Sequence, residues 1–205
     1  MYCARRSSEI MKIWEQELPP ERLVRVLAWQ SGAAWWFENI LLKTEDTEQH
    51  HDVLAIAPYF GGYLGNPRNQ AGLQTPHLSL DALMAELTDR AVPQAIEGMR
   101  QVAKTAAAHG KAMIAYEGGQ HLVGVGPWLN DEALNRLFDQ ANRDPRMGPL
   151  YDRYLQGWRE AGGQLFVNFI HCDAYSRYGR FGILEYLGQT PEQSPKLMAL
   201  RRVMK

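Results

Sequence analysis

Apolar residues recur along this chain with two different spacings, and the alternation of these spacings predicts its secondary structure. Helical spacing over residues 3–18 predicts an amphipathic helix that ends before Pro19 and Pro20. Four short apolar runs predict strands at 23–30, 51–62, 111–117 and 164–170. The run at 51–62 is almost continuously apolar, which is typical of a strand buried on both faces of a parallel sheet.

Helical patterns separate these predicted strands. They cover residues 33–43, 79–109, 131–163 and 194–203. Ser79 is a suitable N-cap for the second of these helices, Pro93 predicts a kink within it, and Gly110 predicts its end. The third pattern is interrupted at 145–149, where two prolines occur.

The order of the elements, one helix followed by four strand–helix units, predicts an α/β fold with a parallel sheet. Two architectures fit this order: an open doubly wound sheet, or part of a (β/α) barrel. No GxGxxG or GxxxxGKS motif follows a strand, and the long loops follow the carboxyl ends of the strands, as in barrel enzymes. We therefore predict a single (β/α)4 half-barrel domain of the TIM-barrel type over residues 1–205, with an extra N-terminal helix.

The composition of the chain limits the classes of molecule that it is expected to bind. The 205 residues include 22 Lys and Arg and 23 Asp and Glu, and no basic run is present, so nucleic acid is not an expected partner. Cys3 and Cys172 lack the spacing of a zinc site or a disulfide framework, which favours a reducing cytoplasmic location. There is no signal-peptide h-region and no apolar run long enough to cross a membrane, so no membrane partner is expected.

Polar and aromatic residues at the predicted strand ends form the candidate site, because the carboxyl ends of the strands of a barrel converge on one mouth. Glu117 is the central candidate, since a carboxylate can act as nucleophile, acid or base on a glycosidic bond. The candidates for substrate binding are Gln30, Tyr59, Tyr116, Gln120, Trp128, Asn168, His171, Asp173 and Tyr175, and His121 is a second catalytic candidate.

Structural interpretations compete with these roles. Glu117 before two glycines could cap a turn, and His121 and His171 could be loop histidines with satisfied hydrogen bonds. Trp14, Trp35, Trp36 and Trp158 lie in helical patterns, which predicts core positions. The His171-x-Asp173 pair has no third ligand at a suitable spacing, so neither a metal nor any other cofactor is predicted.

Several segments resemble a group of bacterial TIM-barrel proteins similar to glycoside hydrolases, often described as cellulase-like or cellulose-binding. They are RSSEIMKIW, RVLAWQSGAAWW, DVLAIAPYFGG, IAYEGGQHLVG, and the region from GGQLFVNF to YGRFGILEYLGQ. The resemblance covers almost the whole chain, and YEGGQH is its most specific element. It implies that the four strands correspond to strands five to eight of a barrel, and that Glu117 corresponds to the nucleophile at the end of strand seven.

The resemblance also implies that the acid/base glutamate, which follows strand four in that group, is absent from this chain. A retaining mechanism needs two carboxylates, so one copy of the half-barrel would be incomplete. We therefore expect two copies to close an eight-stranded barrel as a homodimer that binds or hydrolyses carbohydrate. Two alternatives stay open: a non-catalytic carbohydrate-binding or structural fragment, and a hydrolase of simple esters that uses His171 or His121 together with a carboxylate.

Overall fold

The computed structural model describes residues 2–30 and 34–204, and it is a mixed α/β fold built around a small parallel sheet. The strands are β1 (Val26–Ala28), β2 (Val53–Ile56) and β3 (Ala112–Ala115). The helices are α1 (Tyr2–Glu17), α2 (Ala34–Trp36), α3 (Gln70–Gln74), α4 (Leu80–Glu86), α5 (Val92–Ala108), α6 (Glu132–Arg143), α7 (Met147–Glu160) and α8 (Pro195–Val203). The predicted α/β class and the parallel sheet are confirmed.

The sheet has the order β1-β2-β3, with both pairs parallel and in simple register. Val26 pairs with Val53, and Val53 pairs with Ala112. The predicted fourth strand is shorter than 164–170, because only residues 164–167 continue the sheet. Gln164 and Val167 donate backbone hydrogen bonds to carbonyls of β3, and Phe166 forms an isolated parallel bridge with Ala115.

The two faces of the sheet differ in burial. Side chains alternate along a strand, so the register assigns Leu27, Leu54, Ile56, Met113 and Ala115 to one face, and all of them are buried. The opposite face, called here the open face, carries Val26, Ala28, Val53, Ala55, Ala112, Ile114, Leu165 and Val167. Val53 and Ala55 of the central strand are buried there, whereas Leu165 is 57% and Val167 43% exposed.

Charged residues stand immediately before each strand, and each bonds to side chains or backbone carbonyls near the start of a neighbouring strand. Arg25, which precedes β1, forms ion pairs with Glu15 of α1 and with Asp52, which precedes β2. Lys111, which precedes β3, donates hydrogen bonds to the carbonyls of Glu48 and His51. The bond to Arg25 lowers the pKa of the Asp52 carboxyl. This group of side chains, the amino-end cluster, ties the beginnings of all three strands together.

The helices confirm most of the pattern-based boundaries. Ser79 caps α4 by accepting a hydrogen bond from the N–H of Ala82, and Asp131 caps α6 in the same way through Leu134. The predicted kink near Pro93 is a π-helical turn, Leu87–Ala91, between α4 and α5. In the predicted helix 33–43, position 33 lies outside the described residues, α2 is short, and a second π-helical turn follows at Phe37–Leu41.

Contacts between Cα atoms group the chain into two compact units. The first unit contains the sheet and consists of the described residues of Met1–Pro58, Glu97–Glu117 and Trp158–Val167. The second unit consists of Tyr59–Ile96, Gly118–Gly157 and Asn168–Lys205. The core of the first unit lies on the buried face of the sheet, where Phe166 packs edge-to-face on Trp158. The core of the second unit is lined by apolar residues of α4, α6 and α7.

Candidate functional site

The carboxyl ends of β1 and β3 carry the first group of candidate residues, all in the first unit. The N–H groups of Trp29 and Tyr116 bond to consecutive carbonyls of β2, those of Ala55 and Ile56. The two residues therefore flank the end of β2, with backbones two strand spacings, or about 10 Å, apart. Gln30 follows Trp29 and is exposed, and Glu117 follows Tyr116 and is half-buried.

Three tryptophans lie together beside the end of β1. The rings of Trp29 and Trp36 are 5.6 Å apart and tilted by 33°, and Trp35 meets Trp36 edge-to-face at 5.3 Å. Trp35 is 59% and Trp36 44% exposed, so the prediction that they are core residues is wrong. Trp14 is also exposed, whereas Trp158 is buried as predicted. Exposed aromatic rings of this kind provide flat apolar surface next to polar groups.

Glu117 is the only carboxylate among the residues that directly follow the three strands, which are 29, 30, 57, 58, 116 and 117. Burial raises the pKa of the neighbouring Tyr116 hydroxyl, and the negative charge of Glu117 raises it further. Glu117 lies one residue beyond the last backbone bond of β3, where the strand pleat ends. The Glu117 carboxylate therefore stands beside the Tyr116 phenol at the carboxyl end of the sheet.

The loop after Glu117 belongs to the second unit and is held by buried tyrosines. The hydroxyls of Tyr154 and Tyr151 accept hydrogen bonds from the N–H groups of Gly119 and Gln120. Gln120 is buried, and its amide donates to the carbonyl of Arg180 and accepts from the N–H of Leu122. These bonds give Gln120 a structural role in fixing the loop.

An aromatic group forms around His121 in the second unit. His121 meets Tyr59 at 5.3 Å and Phe181 at 5.5 Å, and Phe169 meets Phe181 at 5.5 Å, all edge-to-face. Asn168 directly precedes Phe169, and its side-chain Nδ2 and Oδ1 atoms are buried without a hydrogen bond to any described residue. The structure thus brings together Tyr59 and His121 among the predicted site residues.

The three candidates on the next loop, His171, Asp173 and Tyr175, differ in their exposure to solvent. His171 and Asp173 are exposed, and Tyr175 is half-buried with its ring 4.9 Å from the Nζ atom of Lys196. Lys196 is fully buried and donates to the Asn142 Oδ1 atom at 3.0 Å and to the Arg180 carbonyl at 2.7 Å. Burial lowers the pKa of Lys196 to about 7.

A separate polar cleft of about 520 Å³ lies in the second unit. It is lined by Asn130, Glu132, Asn135, Arg136, Asp139, Ser176, Arg177 and Arg180. None of the predicted site residues lines it. Trp128, predicted as a loop ligand, lies in a short 3-10 turn at Gly126–Asn130 and is half-buried.

The pattern of the sequence missed two features. Trp35 and Trp36 share the helical spacing of core residues, and only their place in the first helix after β1 could have indicated exposure at the sheet end. Lys196 stands in an ordinary helix-start pattern, Ser194-Pro195-Lys196, and nothing in that pattern signals a buried amine. Both features depend on tertiary packing, which the sequence pattern does not report.

Within residues 2–30 and 34–204, no group of three or more His, Cys, Asp or Glu residues is arranged to hold a metal ion. No helix within the same residues is both long and apolar enough to cross a membrane. Cys3 and Cys172 are free thiols. Comparisons of the chain with protein-family models, with curated proteins and with solved structures gave no match.

Proposed function

We propose that this chain binds carbohydrate at the carboxyl end of its sheet, and that Glu117 acts there on the glycosidic bond. The observation that carries the proposal is the cluster of Trp29 with the exposed Trp35 and Trp36, which flanks β2 on the side opposite Tyr116 and Glu117. Aromatic faces stack on the apolar faces of sugar rings, and carboxylates and amides such as Glu117 and Gln30 bond to hydroxyls.

The proposal includes the half-barrel architecture and its completion by a second copy. Two features support it: the strand order is sequential, as in a barrel, and exposed apolar side chains stand at both edges of the open face. Ala28 is exposed on β1, and Leu165 and Val167 are exposed on the other edge segment. A second copy that added its edge strands to these edges would cover those side chains and remove both open edges.

Barrel geometry gives the distance between the two copies of Glu117 in such a dimer. Eight strands about 4.8 Å apart with a tilt of about 36° form a ring roughly 15 Å across. Glu117 lies beyond the last backbone bond of β3, so its side chain is not bound to the strand alternation. If each side chain turns inward and reaches about 4 Å, the two carboxyl groups are roughly 7 Å apart. This separation falls in the range of roughly 6.5–9.5 Å that is typical of inverting glycosidases, which place a water molecule between acid and base.

Two identical carboxylates can take different roles in that arrangement. Like charges at short distance oppose each other's ionisation, so the pair retains one proton at pH values where a single carboxyl has lost it. The protonated Glu117 would donate its proton to the leaving glycosidic oxygen. The ionised Glu117 of the other copy would take a proton from the attacking water.

Binding and turnover are tested separately. We expect soluble oligosaccharides to raise the Tm of the protein, because a ligand that binds only the folded state stabilises it. Trp35→Ala should remove this shift. Trp14→Ala is the matched control, since Trp14 is also exposed but lies next to Glu15 in the amino-end cluster. An equal loss of the shift in both variants would exclude the tryptophan cluster as the binding surface.

Turnover is measured on aryl glycosides. Glu117→Gln keeps the size of the side chain and removes its charge, so hydrolysis should fall by at least about 100-fold while the Tm shift remains. Glu97→Gln, an exposed position on α5, should retain full activity. Unchanged hydrolysis in Glu117→Gln would remove Glu117 from the mechanism.

The non-catalytic alternative has its own supporting observation. Glu117 has no carboxylate partner among the residues that directly follow the three strands, so a single copy lacks the second group that glycoside hydrolysis needs. Binding without turnover in the wild-type protein would favour a carbohydrate-binding module over a hydrolase.

A further inference from the structure

A serine and a histidine in the first unit, away from the carboxyl end of the sheet, are arranged as a nucleophile and a base. The Ser7 Oγ atom of α1 lies 2.7 Å from the His51 Nε2 atom. The other ring nitrogen of His51, Nδ1, lies 2.7 Å from the Thr47 carbonyl oxygen. A carbonyl can only accept, so Nδ1 carries the proton, and Nε2 accepts the hydroxyl proton of Ser7.

This is the order of contacts that activates a serine: the nucleophile bonds to the base, and a third group holds the base in one tautomer. Burial keeps His51 neutral, because it lowers the pKa of the ring, and the nearby charge of Lys111 lowers it further. His51 is buried, whereas Ser7 is partly exposed, so the pair is approached from the side of Ser7. Neutral imidazole is the form that can accept a proton.

We propose that Ser7 and His51 form a second reactive site, which transfers acyl groups from small activated esters through Ser7. The Ser7 Oγ atom attacks the acyl carbon as its proton moves to His51 Nε2. The bond from the acyl carbon to the leaving oxygen then breaks, and that oxygen takes the proton from Nε2. Water repeats these steps on the acyl-serine, releases the acid and restores the Ser7 hydroxyl.

The surroundings of Ser7 define the class of substrate. From Arg6 onward the backbone N–H groups of α1 are used by the helix itself, so those beside Ser7 do not provide an oxyanion hole. The reaction therefore depends on the activated nucleophile and on a leaving group that is already stable as an anion. Aryl acetates meet this requirement, and alkyl esters and peptides do not.

Adjacent residues supply matched controls for both members of the pair. Ser8 is also on α1, but its hydroxyl contacts the Ala4 carbonyl and the Thr47 hydroxyl instead of a base. His50 is next to His51, but its Nδ1 atom contacts the Glu15 carboxylate. Ser8→Ala and His50→Asn thus change the same residue types without touching the Ser7–His51 bond.

Two measurements test the proposal. A fluorophosphonate probe should label the wild-type protein at Ser7, with the modified peptide identified by mass spectrometry. Hydrolysis of p-nitrophenyl acetate should fall at least about 100-fold in Ser7→Ala and in His51→Asn, and stay near the wild-type rate in Ser8→Ala and His50→Asn. The wild-type rate should rise with pH through a midpoint below the usual histidine value of about 6.5.

Because probe labelling uses the wild-type protein, it tests the reactivity of Ser7 even if the His51→Asn variant does not fold. Absence of label at Ser7, or equal rates in Ser7→Ala and Ser8→Ala, would overturn the proposal. Glu117→Gln should leave this ester hydrolysis unchanged, so failure here and failure of the carbohydrate proposal are separate results.

Discussion

Lys196 shows how much a single buried amine can control the pH dependence of the fold. In its neutral form the amine has two hydrogens, which match its two acceptors, the Asn142 Oδ1 atom and the Arg180 carbonyl. The protonated form has a third hydrogen that faces the Tyr175 ring. Glu185 and Asp173 favour the charge, but burial opposes it more strongly and sets the pKa at about 7. In the unfolded chain the same group has a pKa of about 10.4.

The sign of the resulting stability change follows from the two pKa values. Between pH 7 and about pH 10 the unfolded state binds more protons at this site, so the free energy of unfolding rises with pH. We predict a contribution of up to about 1.4 kcal/mol per pH unit from this site, measured by urea unfolding at pH 7, 8 and 9. The Lys196→Met variant should lack this pH-dependent contribution to the free energy of unfolding. Lys104→Met, at an exposed position, should keep it, and equal slopes in both variants would contradict the assignment to Lys196.

The loop Gly118–Gly124 contains a glycine whose backbone conformation a larger residue would strain. Gly119 has φ of +133°, and a Cβ atom there would lie 2.9 Å from the Tyr151 hydroxyl and 3.3 Å from the Asn168 Oδ1 atom. We predict that Gly119→Ala lowers the free energy of unfolding by about 1–3 kcal/mol. Gly98→Ala on α5 should raise it by about 0.5–1 kcal/mol, since no atom lies within 4 Å of its Cβ position. Urea unfolding of the two variants compares them, and a neutral Gly119→Ala would show that the loop rearranges.

Elements with strong local signals were predictable from the sequence, and elements that depend on pairing were not. Pro19, the caps Ser79 and Asp131, and Gly110 mark helix ends through their own side chains or backbone, so α1, α4 and α6 appear where the pattern puts them. Residues 168–170 have the same apolar character as 164–167, yet only 164–167 pair with β3. Whether an apolar run pairs as a strand of the sheet depends on a neighbouring strand, which lies far away in sequence.

The same distinction applies to the candidate site. The positions of Glu117, Tyr116 and Gln30 at strand ends were predictable, because the strands themselves were predictable. The role of Gln120 was not, because its amide is used by Arg180 and Leu122, and Arg180 lies 60 residues further along the chain. A residue's chemistry can be read from its type, but whether it is available for a ligand depends on contacts of this long-range kind.

At the scale of the whole molecule, the open face predicts self-association. Leu165 and Val167 are exposed on the edge segment, and a second copy would bury them. We predict a concentration-dependent dimer by sedimentation velocity. Leu165→Glu should shift the equilibrium to monomer, because it would place a charge in the new interface. Leu187→Glu, at a position that is 80% exposed in the second unit, should leave the dimer intact. A wild-type monomer at all concentrations would count against barrel closure by a second copy.

The amino-end cluster has a consequence for protein engineering. Arg25, Asp52 and Lys111 fix the strand starts through ion pairs and backbone carbonyls, so the alignment of the sheet does not depend on the segments that leave its other end. The segment that leaves β1 should tolerate replacement by foreign sequences of different length, whereas the segment after β3 is fixed by the bonds of Gly119 and Gln120 to Tyr154 and Tyr151. The chain could then serve as a scaffold for libraries of new binding loops after β1, selected without loss of the parent topology.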